Sequence, residues 1–147
     1  MTLSLLLHLL AAMLWIGGMF FTLYIVRPAV IATLQPPQRV QLTSAVMGRF
    51  TRLVTGAVLV LLATGLYMIF AMGGFAAARP GVNIMFGGAL VMIVIFGYVA
   101  HGCFPKVRRH VQAQEWPAAA ALLDRIRKLV TVNLVLGVLI VLAVKLS

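Results

Sequence analysis

Apolar residues run along the chain in four long blocks, Leu3–Val26, Leu53–Met72, Val82–Phe104 and Leu129–Leu146, and the stretches between them hold nearly all of the charge. Each block approaches the roughly 17–25 residues that an α-helix needs to cross a bilayer core. The pattern predicts an all-α integral membrane four-helix bundle, with residues 1–147 forming a single transmembrane domain. Proline and glycine supply the expected boundaries, because proline cannot continue the helical hydrogen-bond ladder. Pro28 is expected to end the first helix and Pro36–Pro37 to mark a turn. Gly73–Gly74 close the second helix, Pro80–Gly81 precede the third and Pro105 closes it. Trp116–Pro117 then opens a short helical entry, Ala118 to Lys128, ahead of the fourth helix, with Trp116 at headgroup level. No basic residue precedes the first block, which exceeds the ~7–15 apolar residues of a secretory signal, so it is read as a retained helix.

Composition supports the membrane reading: 63% of residues are hydrophobic and 10% charged, against about a quarter charged in soluble domains. A net charge of +10 would suggest nucleic acid if the basic residues formed a soluble face. They lie instead in the connections, so no nucleic-acid partner is expected. Arg27, Arg39, Arg49 and Arg52 fall between the first two helices, and Lys106, Arg108, Arg109, Arg125, Arg127 and Lys128 between the last two. The opposite side has only Arg79 and Lys145. The positive-inside rule therefore places connections 27–52 and 105–128 in the cytoplasm and both termini on the periplasmic side. Arg49, Arg52, Arg125 and Lys128, at the inner entries of helices 2 and 4, read as anchors for anionic lipid.

A weak internal similarity accompanies this layout. Arg49 to Thr55 aligns with Arg125 to Thr131 at an offset of 76, and Gly17–Gly18 with Gly87–Gly88 at 70. Two parallel hairpin repeats would produce it, as would two helices that merely share a basic start and small residues.

The only acids, Glu115 and Asp124, both lie in one connection, which argues against an ion-coupled pump with intramembrane carboxylates. His8 is the ionisable residue of the first block, and an imidazole in hydrocarbon is by default a candidate functional group. His8, Ala11, Ala12, Trp15, Gly18, Met19 and Thr22 share one helix face. Its small residues allow either close helix packing or a slot for a flat porphyrin with His8 as axial ligand. Depth matching sets Tyr67, Met68, Met72, Asn83 and Met85 opposite His8. His101 lies about 24 Å beyond Met85 along the third helix, too far to share one haem with His8.

Two ligand sets follow. His8 with Met68, Met72 and Met85 forms a soft set suited to copper(I). His8 with Trp15, Gly17 and Gly18, and with Arg49 and Arg52 for the propionates, forms a haem b set. Thr55, Thr64, Thr131 and Asn133 read as interhelical hydrogen-bonding groups. Cys103 reads as a packing residue and His110 as solvated or lipid-facing. No nucleophile with its base, phosphate loop or zinc spacing is present, so no catalytic residue is assigned and an enzyme is not the favoured reading.

The run His8 to Phe21 (HLLAAMLWIGGMFF), Val26-Arg-Pro-Ala29, and Gly48-Arg-Phe-Thr-Arg52 leading to Ala63-Thr-Gly-Leu-Tyr67 resemble the CopD family of bacterial inner-membrane proteins. Helices 3 and 4 follow the resemblance by hydropathy and length. It implies copper uptake, resistance or handling at the cytoplasmic membrane, in a short four-helix form where longer members carry more helices. A second resemblance, through His8, Trp15, Gly17 and overall size, is to HemJ-type protoporphyrinogen oxidases, and implies haem b. The segment after Trp15 is more similar to CopD, and helix 3 lacks a Lys expected in the HemJ type. A non-catalytic membrane assembly partner is the third reading, and small-residue faces suggest a homodimer.

Overall fold

The computed structural model describes residues 2–146. Four helices, each long and apolar enough to cross a membrane, account for nearly all of them: α1 (Thr2–Thr33), α2 (Pro36–Ala71), α3 (Pro80–Gln112) and α4 (Trp116–Leu146). No strand occurs among the described residues. At ~1.5 Å per residue, helices of this length measure about 45–55 Å and outreach a hydrocarbon core about 30 Å thick. The basic segments, expected as connections, are therefore helical extensions of the spans. The expected short entry, Ala118 to Lys128, is the first part of one unbroken α4.

Pro28 and Pro105 do not end their helices, contrary to expectation. In α1 a π-helical segment, Thr22–Val26, precedes Pro28, and in α3 another, Tyr98–Cys103, precedes Pro105. A proline removes one N–H and crowds the carbonyl four residues back. A π turn widens the helix where that carbonyl must move, so the chain continues past the proline. The two segments begin 76 residues apart (22 and 98), the offset of the basic motifs.

The real stops are elsewhere. Leu34 is extended ahead of the Pro36–Pro37 start of α2, and Arg39 closes the end of α1 by donating from Nε to the Leu34 carbonyl (2.7 Å) and from Nη2 to the Ile31 carbonyl (2.9 Å). Gly73 (φ 106°) and Gly74 (φ 92°) end α2 in the left-handed region, where only glycine is unstrained. The Gly74 N–H then returns to the Ile69 carbonyl at 2.9 Å. The α3–α4 turn uses Gln114 in the same region, with the Glu115 N–H on the His110 carbonyl at 2.8 Å.

The core is a single cluster that includes Trp15, Met19, Met47, Phe50, Val54, Met92, Val99, Ile126 and Leu134. The main pairings are α1 with α2 and α3 with α4. Two glycines permit them: a Cβ on Gly18 would stand 2.6 Å from the Phe50 ring, and one on Gly88 2.6 Å from Ile140 Cδ1. Gly17 meets nothing within 4 Å. The glycine pairs aligned by the sequence thus serve different depths, because Phe50 corresponds to Ile126 at an offset of 76, whereas Gly88 receives Ile140.

Candidate functional site

His8 lies near the end of the bundle that holds both termini, where α1 meets α2 beside Thr64. Gly65 is what lets the ring approach: a Cβ there would stand 3.3 Å from His8 Cε1 and 3.7 Å from Nδ1. His8 Nδ1 is 3.0 Å from Thr64 Oγ1. The single hydroxyl proton of Thr64 is directed to the Val60 carbonyl at 2.7 Å, with the Leu61 carbonyl at 3.3 Å. Thr64 therefore accepts from the ring. The hydrogen-bond network assigns the neutral Nδ1–H tautomer, which puts the ring's lone pair on Nε2.

His8 borders an apolar cavity of about 390 Å³ that also meets Trp15, Gly65, Met85, Met92 and, from the end of α4, Lys145. Of the expected thioether partners, Met85 shares this cavity with His8. Met68 is buried on α2 one turn beyond Thr64 and does not border it, and Met72, the C-terminal cap of α2, is 47% exposed. Met92, which sequence reasoning passed over, is 3% exposed and lines the cavity from α3. The imidazole and the two thioethers border one cavity, and both are donor types whose softness suits copper(I). Among the described residues no three His, Cys, Asp or Glu side chains gather into a metal-binding group.

Below Trp15 lies a small void of about 10 Å³, bordered by Met19, Met47, Thr51 and Asn133. It has room for about one water. Asn133 donates from Nδ2 to the Met92 carbonyl at 3.1 Å, while its buried Oδ1 has no hydrogen-bond partner. Thr51 borders both this void and a third space, a polar cleft of about 650 Å³ between α2 and α3 that takes in Arg49, Arg52, His101 and Arg108.

The residues expected to hold haem do not converge. His8 and Trp15 share the upper cavity, Gly17 faces open space and Gly18 is filled by Phe50. Arg52 precedes Thr64 by twelve residues on α2 (52 to 64), about 18 Å along the axis. A porphyrin centred on His8 does not carry propionates that far.

The other polar residues divide by end. Asp124 accepts from Arg127 at 2.8 Å and lies 3.4 Å from Lys128. Arg125 donates to the Tyr98 hydroxyl at 3.4 Å, so Arg125 and Lys128 are engaged differently from Arg49 and Arg52. His110, expected to be solvated or lipid-facing, is half-buried with Nδ1 3.5 Å from Glu115. Thr55 and Thr131 hydrogen-bond to carbonyls of their own helices rather than across the bundle, whereas Thr64 and Asn133 do bridge helices. Cys103 is a free, buried packing residue.

The comparisons with known proteins extend this picture in sequence. No curated protein and no solved structure matches the chain. The family model described as CopD, copper resistance protein D, matches residues 44–146. That span begins in α2 and contains Thr64, Gly65, Met85, Met92 and the arginine cleft; His8 precedes it. The match covers α3 and α4, where the resemblance rests on hydropathy and length. With four helices able to span a membrane and a family match over most of its length, the chain is a multi-pass membrane protein that belongs to the CopD family.

Proposed function

We propose that this protein takes up copper(I) as cargo at the His8 cavity and passes it along the bundle interior. The observation that carries the reading is the Thr64–His8 contact at 3.0 Å, since Thr64 is already a donor to Val60. A backbone-anchored acceptor on Nδ1–H is the outer-shell partner that a metal-binding imidazole characteristically has. Met85 and Met92 border the same largely apolar cavity, and thioether sulfur is a soft donor. Lys145, at the same cavity, disfavours a bare cation electrostatically, so neutral thioether and imidazole donors must supply the affinity.

Met19 and Met47, buried at 1% and 4% exposure, continue the thioethers below Trp15 toward Thr51. They support passage rather than storage alone. By the positive-inside rule the His8 end faces the periplasm and the ten basic residues of the other end face the cytoplasm of a bacterial inner membrane.

The test is anaerobic titration of the purified protein with copper(I) against a chromophoric chelator, alongside an absorbance spectrum. Stoichiometric binding that is lost in His8→Ala is expected, in a protein without a Soret band. A Soret band that disappears in His8→Ala would replace this reading with a haem site. Wild-type protein that leaves all copper with the chelator would end it.

A further inference from the structure

The second concentration of unspent chemistry is at the opposite end of the bundle. Arg49 and Arg52 on α2 and Arg108 on α3 border one polar cleft, together with His101 and the hydroxyl residues Ser44, Thr51 and Thr55. α2 and α3 are held together there by Phe104, whose ring would lie 3.3 Å from a Cβ on Gly48.

No protein carboxylate balances the charge of this cleft. The chain has two acidic residues, and both are committed elsewhere: Glu115 beside His110, and Asp124 to Arg127 and Lys128. Neither borders the cleft. Three guanidinium groups therefore face one space without a protein carboxylate. Their own-chain contacts position them without neutralising them. Arg49 gives an N–H to the Ala45 carbonyl (3.4 Å), Arg52 gives Nε to the Gly48 carbonyl (3.2 Å), and Arg108 lies 6.0 Å from the Phe104 ring centre. Most of the five N–H donors of each guanidinium remain for a ligand. Paired, planar donors match the oxygens of a phosphate group.

A second feature indicates where that phosphate comes from. One turn from Arg52 toward the bilayer centre is Gly56, and one turn from His101 in the same direction is Gly97; a Cβ on either would meet nothing within 4 Å. Around them Leu53, Leu59 and Val94 are 50%, 64% and 71% exposed. One helical turn beyond the polar cleft, both helices thus present bare backbone among exposed apolar side chains. Free phosphate needs the cleft alone, whereas a phospholipid uses both parts.

We propose that this cleft is a binding site for an anionic phospholipid, its phosphate held by Arg49, Arg52 and Arg108 and its acyl chain lying past Gly56 and Gly97. This goes beyond general basic anchoring, because it assigns one lipid to one cleft and excludes the equally basic Arg109, Lys106 and Arg125 from it.

The test is native mass spectrometry of the detergent-purified full chain, titrated with phosphatidylglycerol, phosphatidylcholine or inorganic phosphate. Wild type is expected to bind one phosphatidylglycerol at least tenfold more tightly than phosphatidylcholine. Arg49→Gln/Arg52→Gln/Arg108→Gln should bring the two within twofold, while Lys106→Gln/Arg109→Gln/Arg125→Gln, with the same charge change, should keep the preference. Gly56→Leu/Gly97→Leu should weaken phosphatidylglycerol severalfold. No preference in wild type, or equal loss in both triple variants, overturns the site. Inorganic phosphate that displaces the lipid at equal concentration overturns the lipid and leaves a free-anion site. The wild-type and charge-matched arms decide the matter even where the cleft variant does not fold, and none of them depends on copper.

Discussion

Replacing Thr64 by Val separates orientation of the imidazole from its presence. The two side chains have nearly the same shape, so the change removes the hydroxyl and leaves the packing beside Gly65 in place. The Val60 carbonyl loses only a supplementary donor from Thr64 Oγ1 (2.7 Å), since it stays within the helical ladder. The cost to folding is therefore about 1 kcal/mol or less. The His8 Nδ1–H loses the acceptor at 3.0 Å. Without metal, the ring is free to change tautomer or to rotate, since neither nitrogen is fixed as the donor. With copper on Nε2 it cannot, because Nδ1 must then carry the proton against a methyl group. The penalty thus falls on the metal-bound state. A lost outer-shell partner typically costs 10–100-fold in metal affinity. The lower bound of that range, about tenfold, corresponds to ~1.4 kcal/mol. Anaerobic competition with a chromophoric copper(I) chelator should show Thr64→Val about tenfold weaker than wild type and Thr64→Ser within about twofold. Thr64→Val binding like wild type, while His8→Ala does not bind, would refute the orienting role. Unchanged binding in both variants would remove His8 from the site altogether.

The remaining expectations concern the cavity wall and the helix contacts. Gly65→Ala should weaken copper(I) binding with little loss of fold, because the new Cβ stands 3.3 Å from His8 Cε1 and moves the ring by a few tenths of an ångström; the same titration with a circular dichroism control checks it. Gly18→Ala should lower stability by about 1–3 kcal/mol in thermal unfolding in detergent through overpacking, since its Cβ meets Phe50 at 2.6 Å, whereas Gly17→Ala, with nothing within 4 Å, should not. Met47→Leu and Met92→Leu conserve volume and should cost less than about 1.5 kcal/mol; copper uptake into vesicles should nevertheless fall, and full uptake would refute passage along the thioethers. Asn133→Leu removes a buried Oδ1 that has no partner together with one hydrogen bond to Met92. It should leave the unfolding midpoint close to that of wild type, and a large loss would show that a bound water satisfies Oδ1.

Four spans, their approximate centres and the division of charge between the two ends are legible in the sequence, because a hydrocarbon slab demands continuous apolar runs and sets their length. His8 is legible for the same reason, as an ionisable group in such a run, and Thr64 as a polar residue able to bridge helices. The tertiary structure decides what lies beyond those runs. Pro28 and Pro105 read as stops, but π segments ahead of them absorb the missing bond, and the compensation is invisible in residue type. The methionines illustrate the deeper limit. In a soluble helix the polar face reveals which side is buried, but here both lipid and core are apolar, so hydrophobic period says little about facing. Met72 points outward while Met85 and Met92 line the cavity with His8, and Arg49 and Arg52 part from Arg125 and Lys128 despite matching motifs. Sequence alone determined that a histidine lies in the first apolar run and that the basic end has few acids to neutralise it. Only helix packing decided which thioethers share a cavity with that histidine and which arginines share a cleft, because in an apolar solvent close steric fit rather than polarity selects the buried face.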